Sequence, residues 1–230
     1  MREAENIRAV SELGVDWIGL IFWSQSPRYV SMIPSGAGIV PDRSSLSEPT
    51  QAIRKGKDVN RQGPKRVGVF VDATAQDIIT RVYSFGLDIV QLHGHESPTL
   101  IRNLRRTLGE GIRMMKAISV SSREEVAAYK PYADCVDYFL FDTKSATVGG
   151  SGRHFDWTLL QAYDGSVPFL LSGGIGPDDA PRLREAFSGD NGSAAIHPQC
   201  IGIDLNSRFE TAPGLKDVAA LQLFLSQLSH

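Results

Sequence analysis

The stretch Pro168-Phe-Leu-Leu-Ser-Gly-Gly-Ile175 is an apolar run that ends in small polar residues, and Cys200-Ile-Gly-Ile-Asp-Leu-Asn-Ser207 repeats this pattern. Continuous runs of Val, Ile and Leu are typical of buried parallel strands. Small residues just past a strand leave backbone N–H groups exposed, and such groups can surround an anion. In (β/α)8 barrels, the loops after the seventh and eighth strands often bind phosphate in this way. The two stretches therefore predict a phosphate site and a phosphorylated substrate.

Apolar runs of strand length alternate with amphipathic stretches along the chain, which predicts a parallel α/β fold. The predicted strands are Asp16 to Phe22, Arg66 to Val71, Ile89 to His93, Met114 to Ile118, Tyr138 to Asp142, Phe169 to Ser172 and Ile201 to Leu205. The predicted helices are Arg2 to Leu13, Thr74 to Phe85, Ser97 to Leu108, Ser122 to Tyr129, Phe155 to Tyr163, Pro177 to Phe187 and Leu215 to Leu228. Because the chain opens on a helix, we expect a (β/α)8 TIM barrel truncated at its N-terminus, with about seven strands encoded.

The length of the chain suits one α/β barrel, so residues 1–230 are expected to form a single TIM-barrel domain. Residues 31–63 differ from the rest, because they hold five Ser, three Pro and four Gly with little periodicity. This composition predicts a long irregular loop region, with one short helix around Gln51 to Lys57.

The charge of the chain is nearly balanced, with 24 basic residues, 26 acidic residues and a formal net charge of −2. This balance argues against nucleic acid or an anionic membrane as a partner. The chain has no apolar run of about 18 residues. Its start, Met1-Arg-Glu-Ala-Glu, is too charged for a signal peptide, so we expect a cytoplasmic protein. The two cysteines, Cys135 and Cys200, adjoin apolar runs and are expected to be reduced and buried.

A set of short motifs, in a fixed order, carries a family resemblance. The motifs are Ser26-Pro-Arg-Tyr-Val30, Val67-Gly-Val-Phe-Val71, Val90-Gln-Leu-His-Gly94, Phe141-Asp-Thr143, Gly149-Gly-Ser-Gly152, Phe155-Asp-Trp157, Ser172-Gly-Gly174 and Pro213-Gly-Leu-Lys-Asp217. They cover almost the whole chain, which resembles the phosphoribosylanthranilate isomerases of tryptophan biosynthesis. The resemblance implies an Amadori rearrangement of N-(5-phosphoribosyl)anthranilate to 1-(2-carboxyphenylamino)-1-deoxyribulose 5-phosphate, with no cofactor and no metal.

This rearrangement needs an acid that protonates the furanose ring oxygen and a base that takes the proton from C2. The resemblance implies that Asp142 is the acid, and this residue ends the predicted strand Tyr138 to Asp142. Four apolar neighbours favour the protonated form of its carboxyl group. Without the resemblance, the expected role of an Asp at this position is to cap the following loop with Thr143.

The general base is where the sequence departs from the family. In the family, the base is a cysteine on the first strand, in a Lys-hydrophobic-Cys-Gly run, and that run is absent from this chain. Cys135 and Cys200 precede the ends of their strands and are expected to be core residues. Either Met1 is an internal methionine of a longer reading frame, or a seven-stranded barrel has unpaired edges at strands 16–22 and 200–205. In both cases we expect weak phosphosugar binding and little or no isomerase activity.

The remaining candidate residues bind substrate in the reading that the resemblance implies. Arg28 would hold the anthranilate carboxylate, a task that suits a guanidinium group. His93 would line the mouth of the barrel, and Asp204 would either bind substrate hydroxyls or hold neighbouring loops. The predicted phosphate ligands are Gly173, Gly174, Asn206 and Ser207, after the last two strands. Arg208 replaces a family glycine, and it would either add a charge near the phosphate or project outward.

Other readings of the sequence are also open. His93, His95 and Glu96 could suggest a metal site, but a polar helix entry is the favoured interpretation. Gly149 to Gly152 is interpreted as a substrate-covering loop, because it lacks the Lys-Ser/Thr ending of a P-loop. Alternative functions are an indole-glycerol-phosphate synthase, a pentose-phosphate epimerase or a barrel that only binds a phosphosugar. The first two need lysine or metal chemistry, and Lys116 is the only lysine inside a predicted strand. A monomer or a homodimer is expected.

Overall fold

The structure of the chain is a computed structural model, and it describes residues 1–31, 63–143, 157–188 and 196–228. Most of the predicted loop region at 31–63, its short helix and the Gly149 to Gly152 loop lie outside these described residues. The chain divides into two compact units. Unit 1 comprises Met1–Met114 and Thr211–Val218, and unit 2 comprises Met115–Glu210 and Ala219–His230. That the chain forms a single domain stays a prediction.

Unit 1 is built from strands and helices in alternation. Its elements are α1 (Ala4–Ser11), β1 (Trp17–Ile21), β2 (Lys65–Phe70), α2 (Ala75–Phe85), β3 (Ile89–Leu92) and α3 (Pro98–Leu108). The strand β1 pairs in parallel with β2, and β2 pairs in parallel with β3. Their carboxyl ends therefore lie at one edge of the sheet, and the loops that follow these strands carry the candidate residues of this unit.

Local sequence signals explain the helices of unit 1. Thr74 caps α2 by accepting a hydrogen bond from Asp77 N at 3.1 Å, and Gly86 ends that helix in the left-handed conformation, with φ of 56°. Ser97 caps α3 in the same way, by accepting a hydrogen bond from Leu100 N at 3.2 Å. Each helix buries one apolar stripe. The stripes consist of Ile78, Val82 and Phe85 on α2 and of Ile101, Leu104 and Leu108 on α3.

Unit 2 contains the other four parallel strands. Its strands are β4 (Arg113–Val120, from Met115 onward in this unit), β5 (Tyr138–Thr143), β6 (Phe169–Ser172) and β7 (Cys200–Ile203). Its helices are α4 (Ala180–Ser188) and α5 (Val218–Leu228, from Ala219 onward), with 3-10 helices at Glu125–Tyr132, Trp157–Ala162, Pro177–Asp179 and Ser207–Phe209. The strands pair in the order β4, β5, β6, β7. All seven predicted strands are thus present.

An aromatic cluster forms the core of unit 2. Phe139 and Phe141 of β5, Phe169 of β6 and Tyr163 are buried, and their ring centroids lie between 5.0 and 6.3 Å apart in the contacting pairs. Stacked and edge-to-face contacts at these separations add to the stabilisation from burial alone. The cluster fixes the register of β5 against β6, and with it the places where both strands end.

The structure corrects several predicted boundaries. Two predicted α-helices are 3-10 helices, at Glu125–Tyr132 and Trp157–Ala162. The first contains Pro131, which has no N–H group for an α-helical hydrogen bond. The last predicted helix begins at Val218 because Leu215–Lys216 form β9, which pairs with β8 at Glu210–Ala212. None of the helices in the described ranges is long and apolar enough to span a membrane.

Candidate functional site

The carboxyl ends of β5, β6 and β7 are joined by side-chain hydrogen bonds in unit 2. Thr143 Oγ1 donates to the carbonyl oxygen of Ser172 at 2.7 Å, and Ser172 Oγ donates to Asp204 Oδ2 at 2.9 Å. Asp204 N also donates to the carbonyl oxygen of Leu171 at 2.8 Å. Thr143 and Ser172 are both buried. The tips of β6 and β7 are therefore held side by side.

Gly173 and Gly174 follow β6, and both have positive φ angles, of 100° and 67°. A Cβ placed on Gly173 would overlap the carbonyl oxygen of Thr143, whereas a Cβ on Gly174 would have no neighbour within 4 Å. Gly173 is needed for both its backbone conformation and its close approach to β5, while Gly174 is needed only for its conformation. The turn exposes Gly174 at the carboxyl edge of the sheet. Its role as a phosphate ligand stays a prediction.

Asp142 is the penultimate residue of β5 and is half-buried. Its partners across the sheet are Ser119 of β4 and Ser172 of β6. The carboxyl group therefore belongs to the same edge of unit 2 as Ser172, Gly173 and Asp204. Its surroundings are more polar than the sequence suggests, because serines occupy the paired positions on both neighbouring strands.

The segment after β7 carries three exposed residues, Asn206, Ser207 and Arg208. The strand itself ends at Ile203, two residues earlier than predicted. Arg208 does not project away from the site, because a Cβ placed on Gly176 would lie only 2.8 Å from Arg208 Cδ. The arginine side chain therefore packs on the loop between β6 and α4, beside the Gly173 turn. Of the two possibilities for Arg208, this packing favours a charge near the predicted phosphate site.

Arg28 lies in unit 1, in a turn that follows β1 and folds back onto it. Tyr29 forms a parallel bridge with Ile21, and Val30 N donates to the carbonyl oxygen of Ile21 at 2.8 Å. Within the turn, Arg28 N donates to Ser26 Oγ at 3.1 Å. Arg28 is half-buried, so its position is fixed at the carboxyl end of β1. The role of Arg28 with a carboxylate stays a prediction.

His93 also lies in unit 1, directly after β3. Its backbone N donates to the carbonyl oxygen of Phe70 at 2.8 Å, and its Nδ1 lies 3.1 Å from Nε2 of Gln91. Glu96 is only 3% exposed, and its carboxylate accepts N–H groups from Asp72 and Gly94. The sequence predicts a polar helix entry at Glu96. In the structure, the Glu96 carboxylate connects the loop after β2 to the loop after β3.

Sequence reasoning missed Gln91, Asp72, Thr143 and Ser172 as members of these loop networks. A signal existed for Gln91, because residues two apart on a strand lie on the same face and Gln91 is two residues before His93. No comparable signal exists for Asp72 and Glu96, which are 24 residues apart and meet only through the pairing of β2 with β3.

Both cysteines are free thiols, and neither lies at the carboxyl end of a strand. Cys135 is buried before β5, with its Sγ 3.3 Å from the carbonyl oxygen of Tyr132. Cys200 begins β7 and is half-buried, so it is not the buried core residue that the sequence predicts; partial burial raises the pKa of its thiol to about 11. A thiol with this pKa is protonated at neutral pH and cannot accept a proton. The expectation that neither cysteine takes the place of the family base agrees with these positions.

Two further features bear on the function. Within the described residues, no group of three His, Cys, Asp or Glu side chains is arranged to hold a metal ion. A groove in unit 2 lies beside β7, between α4 and the end of α5, and its lining includes Phe187, Ile201 and Leu228. None of the candidate residues lines this mostly apolar groove, so the chemistry of the strand ends, and not the groove, defines the candidate site.

Comparisons with known proteins agree on one family. A family model described as N-(5'phosphoribosyl)anthranilate (PRA) isomerase matches residues 24–227. A relative from Parabacteroides distasonis named N-(5'-phosphoribosyl)anthranilate isomerase is 39% identical over 230 residues, which are 100% of this chain and 91% of the relative. A solved structure of phosphoribosyl anthranilate isomerase from Thermotoga maritima has a TM-score of 0.71 at 27% identity, and the match covers 100% of this chain and 95% of that chain.

A second solved structure shows phosphoribosyl anthranilate isomerase in complex with reduced 1-(o-carboxyphenylamino)-1-deoxyribulose 5-phosphate. Its TM-score is 0.70 at 26% identity, and the match again covers 100% of this chain and 95% of that chain. The α/β barrel class that the sequence predicts is confirmed by these structural matches.

Proposed function

Because the chain belongs to the N-(5'-phosphoribosyl)anthranilate isomerase family, we propose that it serves the Amadori rearrangement of N-(5-phosphoribosyl)anthranilate in tryptophan biosynthesis. The product is 1-(2-carboxyphenylamino)-1-deoxyribulose 5-phosphate, and the reaction uses no cofactor. The observation that carries the proposal is the junction of the β6 and β7 tips through Ser172 and Asp204. This junction supports a compact anion site next to Asp142, a half-buried acid at the same carboxyl edge of the sheet.

Asp142 is the general acid in this proposal. Its carboxyl group gives a proton to the furanose ring oxygen as the bond between C1 and that oxygen breaks, and the anthranilate nitrogen supplies the electron pair. Removal of the C2 proton then gives an enolamine, which becomes the ketone of the product. The place of Asp142 at the carboxyl end of β5 supports this role, because barrel enzymes carry their catalytic groups at that end.

The phosphate ligands belong to the loops after β6 and β7. Gly173 and Gly174 offer backbone N–H groups from a turn that only glycine can form at its first position. Asn206 and Ser207 offer polar groups from the loop after β7, and the packing of Arg208 on Gly176 brings a positive charge to this loop pair. Asp204, held by Ser172, accepts a substrate hydroxyl.

Unit 1 supplies two further substrate ligands in the proposal. Arg28 takes the anthranilate carboxylate, since a guanidinium group can donate two parallel hydrogen bonds to it. His93 binds substrate through its imidazole ring. Both follow the carboxyl ends of strands of this unit, which supports a role with substrate.

The 230-residue polypeptide has impaired or absent isomerase activity in this proposal. Its only cysteines are Cys135 and Cys200, and neither lies after the end of a strand. The raised pKa of the Cys200 thiol, caused mainly by burial, makes it unfit as a base at neutral pH. Loss of a general base typically lowers the rate by a factor of about 10² to 10⁴. A polypeptide that binds the phosphosugar without converting it is the second candidate function.

An indole-glycerol-phosphate synthase or a pentose-phosphate epimerase, which needs lysine or metal chemistry, is less well supported. Lys116 is 3% exposed inside β4, and its ammonium group lies 5.6 Å from the centroid of the Tyr132 ring. A lysine in this position packs inside unit 2. A cytoplasmic location and a monomer or homodimer remain part of the proposal, and the balanced charge supports small molecules, not nucleic acid, as the ligands.

The test measures the loss of anthranilate fluorescence when the ribosylamine is added. It compares the 230-residue polypeptide with one extended at Met1 by a strand that carries a Lys-hydrophobic-Cys-Gly run, and with the same extension in which Cys is replaced by Ala. We expect the Cys extension to be faster than both others by a factor of about 10² to 10⁴. Full activity of the unextended polypeptide would overturn the claim of impairment, and no activity of any polypeptide would overturn the isomerase assignment.

The role of Asp142 is tested in the extended polypeptide. Asp142→Asn keeps the size of the side chain and removes its acid function, so turnover should fall by a factor of about 10² or more. Asp134→Asn, at an exposed position before the same strand, is the matched control and should leave turnover unchanged.

A further inference from the structure

Gln91 and His93 form a side-chain pair at the end of β3. Nε2 of Gln91 lies 3.1 Å from Nδ1 of His93, and Gln91 is only 7% exposed. The two neighbours of Gln91 on the strand, Val90 and Leu92, are fully buried. A buried amide has few alternative partners, so the contact with the imidazole ring is a fixed part of this strand end.

The chemistry of the pair decides which ring nitrogen carries the hydrogen. In this orientation the amide nitrogen of Gln91 faces Nδ1 of His93, and because an amide nitrogen donates hydrogen bonds but does not accept them, this orientation makes Nδ1 the acceptor. A neutral imidazole has one donor nitrogen and one acceptor nitrogen. The hydrogen of the neutral His93 ring is therefore on Nε2, and the lone pair of Nδ1 is used by Gln91.

The backbone around His93 is held from both sides. His93 N is bound to Phe70 O, and the next N–H group, of Gly94, donates to both carboxylate oxygens of Glu96 at 3.2 and 3.0 Å. The same Glu96 carboxylate accepts the N–H of Asp72 at 2.9 Å, and Asp72 Oδ1 in turn accepts the N–H of His95 at 2.6 Å. The carboxylates of Asp72 and Glu96 thus hold the loops after β2 and β3 against each other, and this fixes the backbone position of His93.

We propose that Gln91 is a positioning residue that holds His93 in the Nε2–H tautomer, so that His93 donates a hydrogen bond to an oxygen of the substrate. The acceptor is a hydroxyl, carboxylate or phosphate oxygen, since each accepts a hydrogen bond. The same pairing excludes His93 as the general base, because the neutral ring has no lone pair left to take the C2 proton. The substrate contact rests on the proposed function, whereas the tautomer does not.

The tautomer can be measured directly in the 230-residue polypeptide. Histidine labelled with ¹⁵N gives distinct nitrogen shifts for the protonated and unprotonated ring positions, and His93→Asn identifies the signals among those of the five histidines. We expect His93 to show a protonated Nε2 and an unprotonated Nδ1 at neutral to mildly alkaline pH. A ring with its hydrogen on Nδ1 would overturn the assignment without any variant.

Gln91→Glu is the decisive variant, because a carboxylate accepts hydrogen bonds and so requires the hydrogen on Nδ1. We expect the two ring signals to exchange their character. Gln76→Glu makes the same chemical change on the exposed face of α2, where the Gln76 side chain donates to Thr80 Oγ1, and should leave the His93 signals unchanged. An unchanged His93 ring in Gln91→Glu would refute the role of Gln91.

The donor role is tested by binding of reduced 1-(o-carboxyphenylamino)-1-deoxyribulose 5-phosphate to the same polypeptides. Gln91→Glu should weaken the affinity by a factor of about 10, the effect of one lost hydrogen bond, while Gln76→Glu should not. Exchange of the tautomer with unchanged affinity would overturn the donor role. If the His93 ring carries its hydrogen on Nε2 but even the polypeptide with the Cys extension converts no substrate, only the proposed function is wrong. If the ring carries its hydrogen on Nδ1, only the proposed role of Gln91 is wrong.

Discussion

Ser172 Oγ donates a hydrogen bond of 2.9 Å to Asp204 Oδ2, so the last residue of β6 is tied to the first residue after β7. The pairing between these strands shifts register between Phe169 and Leu170, which leaves Ile201 without a partner residue on β6. Without this shift, Asp204 would occupy a different position relative to Ser172. The irregularity near the start of the two strands therefore determines which side chains meet at their ends.

Ser172→Ala is predicted to destabilise unit 2 and to weaken binding of inorganic phosphate. The buried hydroxyl is lost and Asp204 loses a donor, which typically costs about 1 to 2 kcal/mol. Urea unfolding measures the stability. Ser226→Ala is the control, because Ser226 makes a single exposed hydrogen bond, to Leu223 O, and should change stability by less than about 0.5 kcal/mol. Equal effects of the two substitutions would contradict this prediction.

Gly173→Ala is predicted to be far more harmful than Gly174→Ala. Both residues have positive φ angles, so each alanine costs about 1 to 2 kcal/mol of backbone strain. Only the alanine at 173 also overlaps Thr143 O, and its total cost should reach about 3 kcal/mol or more. Paired urea denaturation curves measure the difference. If Gly174→Ala unfolds as easily as Gly173→Ala, the close approach of Gly173 to β5 is refuted.

Stability is predicted to fall as the pH rises from about 10 to about 12. Burial raises the pKa of Tyr129 to about 12, and its hydrogen bond to Asp164 adds to the effect. Burial also raises the pKa of Tyr163 to about 12. An unfolded tyrosine has a pKa of about 10, so the folded state favours the neutral forms. Their contribution is complete below pH of about 10 and is lost as the pH approaches 12.

The alkaline loss is measured by urea unfolding across this pH range, with tyrosinate absorbance followed in parallel. Tyr163→Phe should make the loss smaller, because one of the two buried phenols no longer titrates. Tyr83→Phe changes an exposed tyrosine, 48% accessible to solvent, and should leave the slope as it is. A slope that is the same in all three polypeptides would rule out the buried tyrosines as its cause.

Arg208→Gln is predicted to weaken phosphate binding by a factor of about 10 at low salt, and by less at high salt. The arginine packs on Gly176 at the predicted phosphate site, and an exposed charge contributes about 1 kcal/mol that salt screens. Titration calorimetry with inorganic phosphate measures this. Arg106→Gln removes an exposed charge from α3 and serves as the control for net charge. Identical affinities of the two variants would show that Arg208 does not face the phosphate.

The elements that the sequence predicts well are those with local signals. Ser97 caps α3 through a contact with Leu100, three residues away, and the buried stripe of that helix follows from its own periodicity. The contact between Asp72 and Glu96 depends on the pairing of two strands, and the contact between Ser172 and Asp204 depends on a register shift. Neither can be read from spacing alone. Pro131 is an intermediate case, because a proline indicates an irregular helix but does not specify the 3-10 form.

The two native thiols have low reactivity, which makes the chain convenient for site-specific spectroscopic labelling. Cys135 is shielded from reagents by burial, and the Cys200 thiol remains protonated at the pH values at which maleimides are normally used. A single cysteine introduced at an exposed position such as Ser84 would therefore react selectively in the native background. Two such cysteines would give fluorophore or spin-label distances without first replacing either natural cysteine.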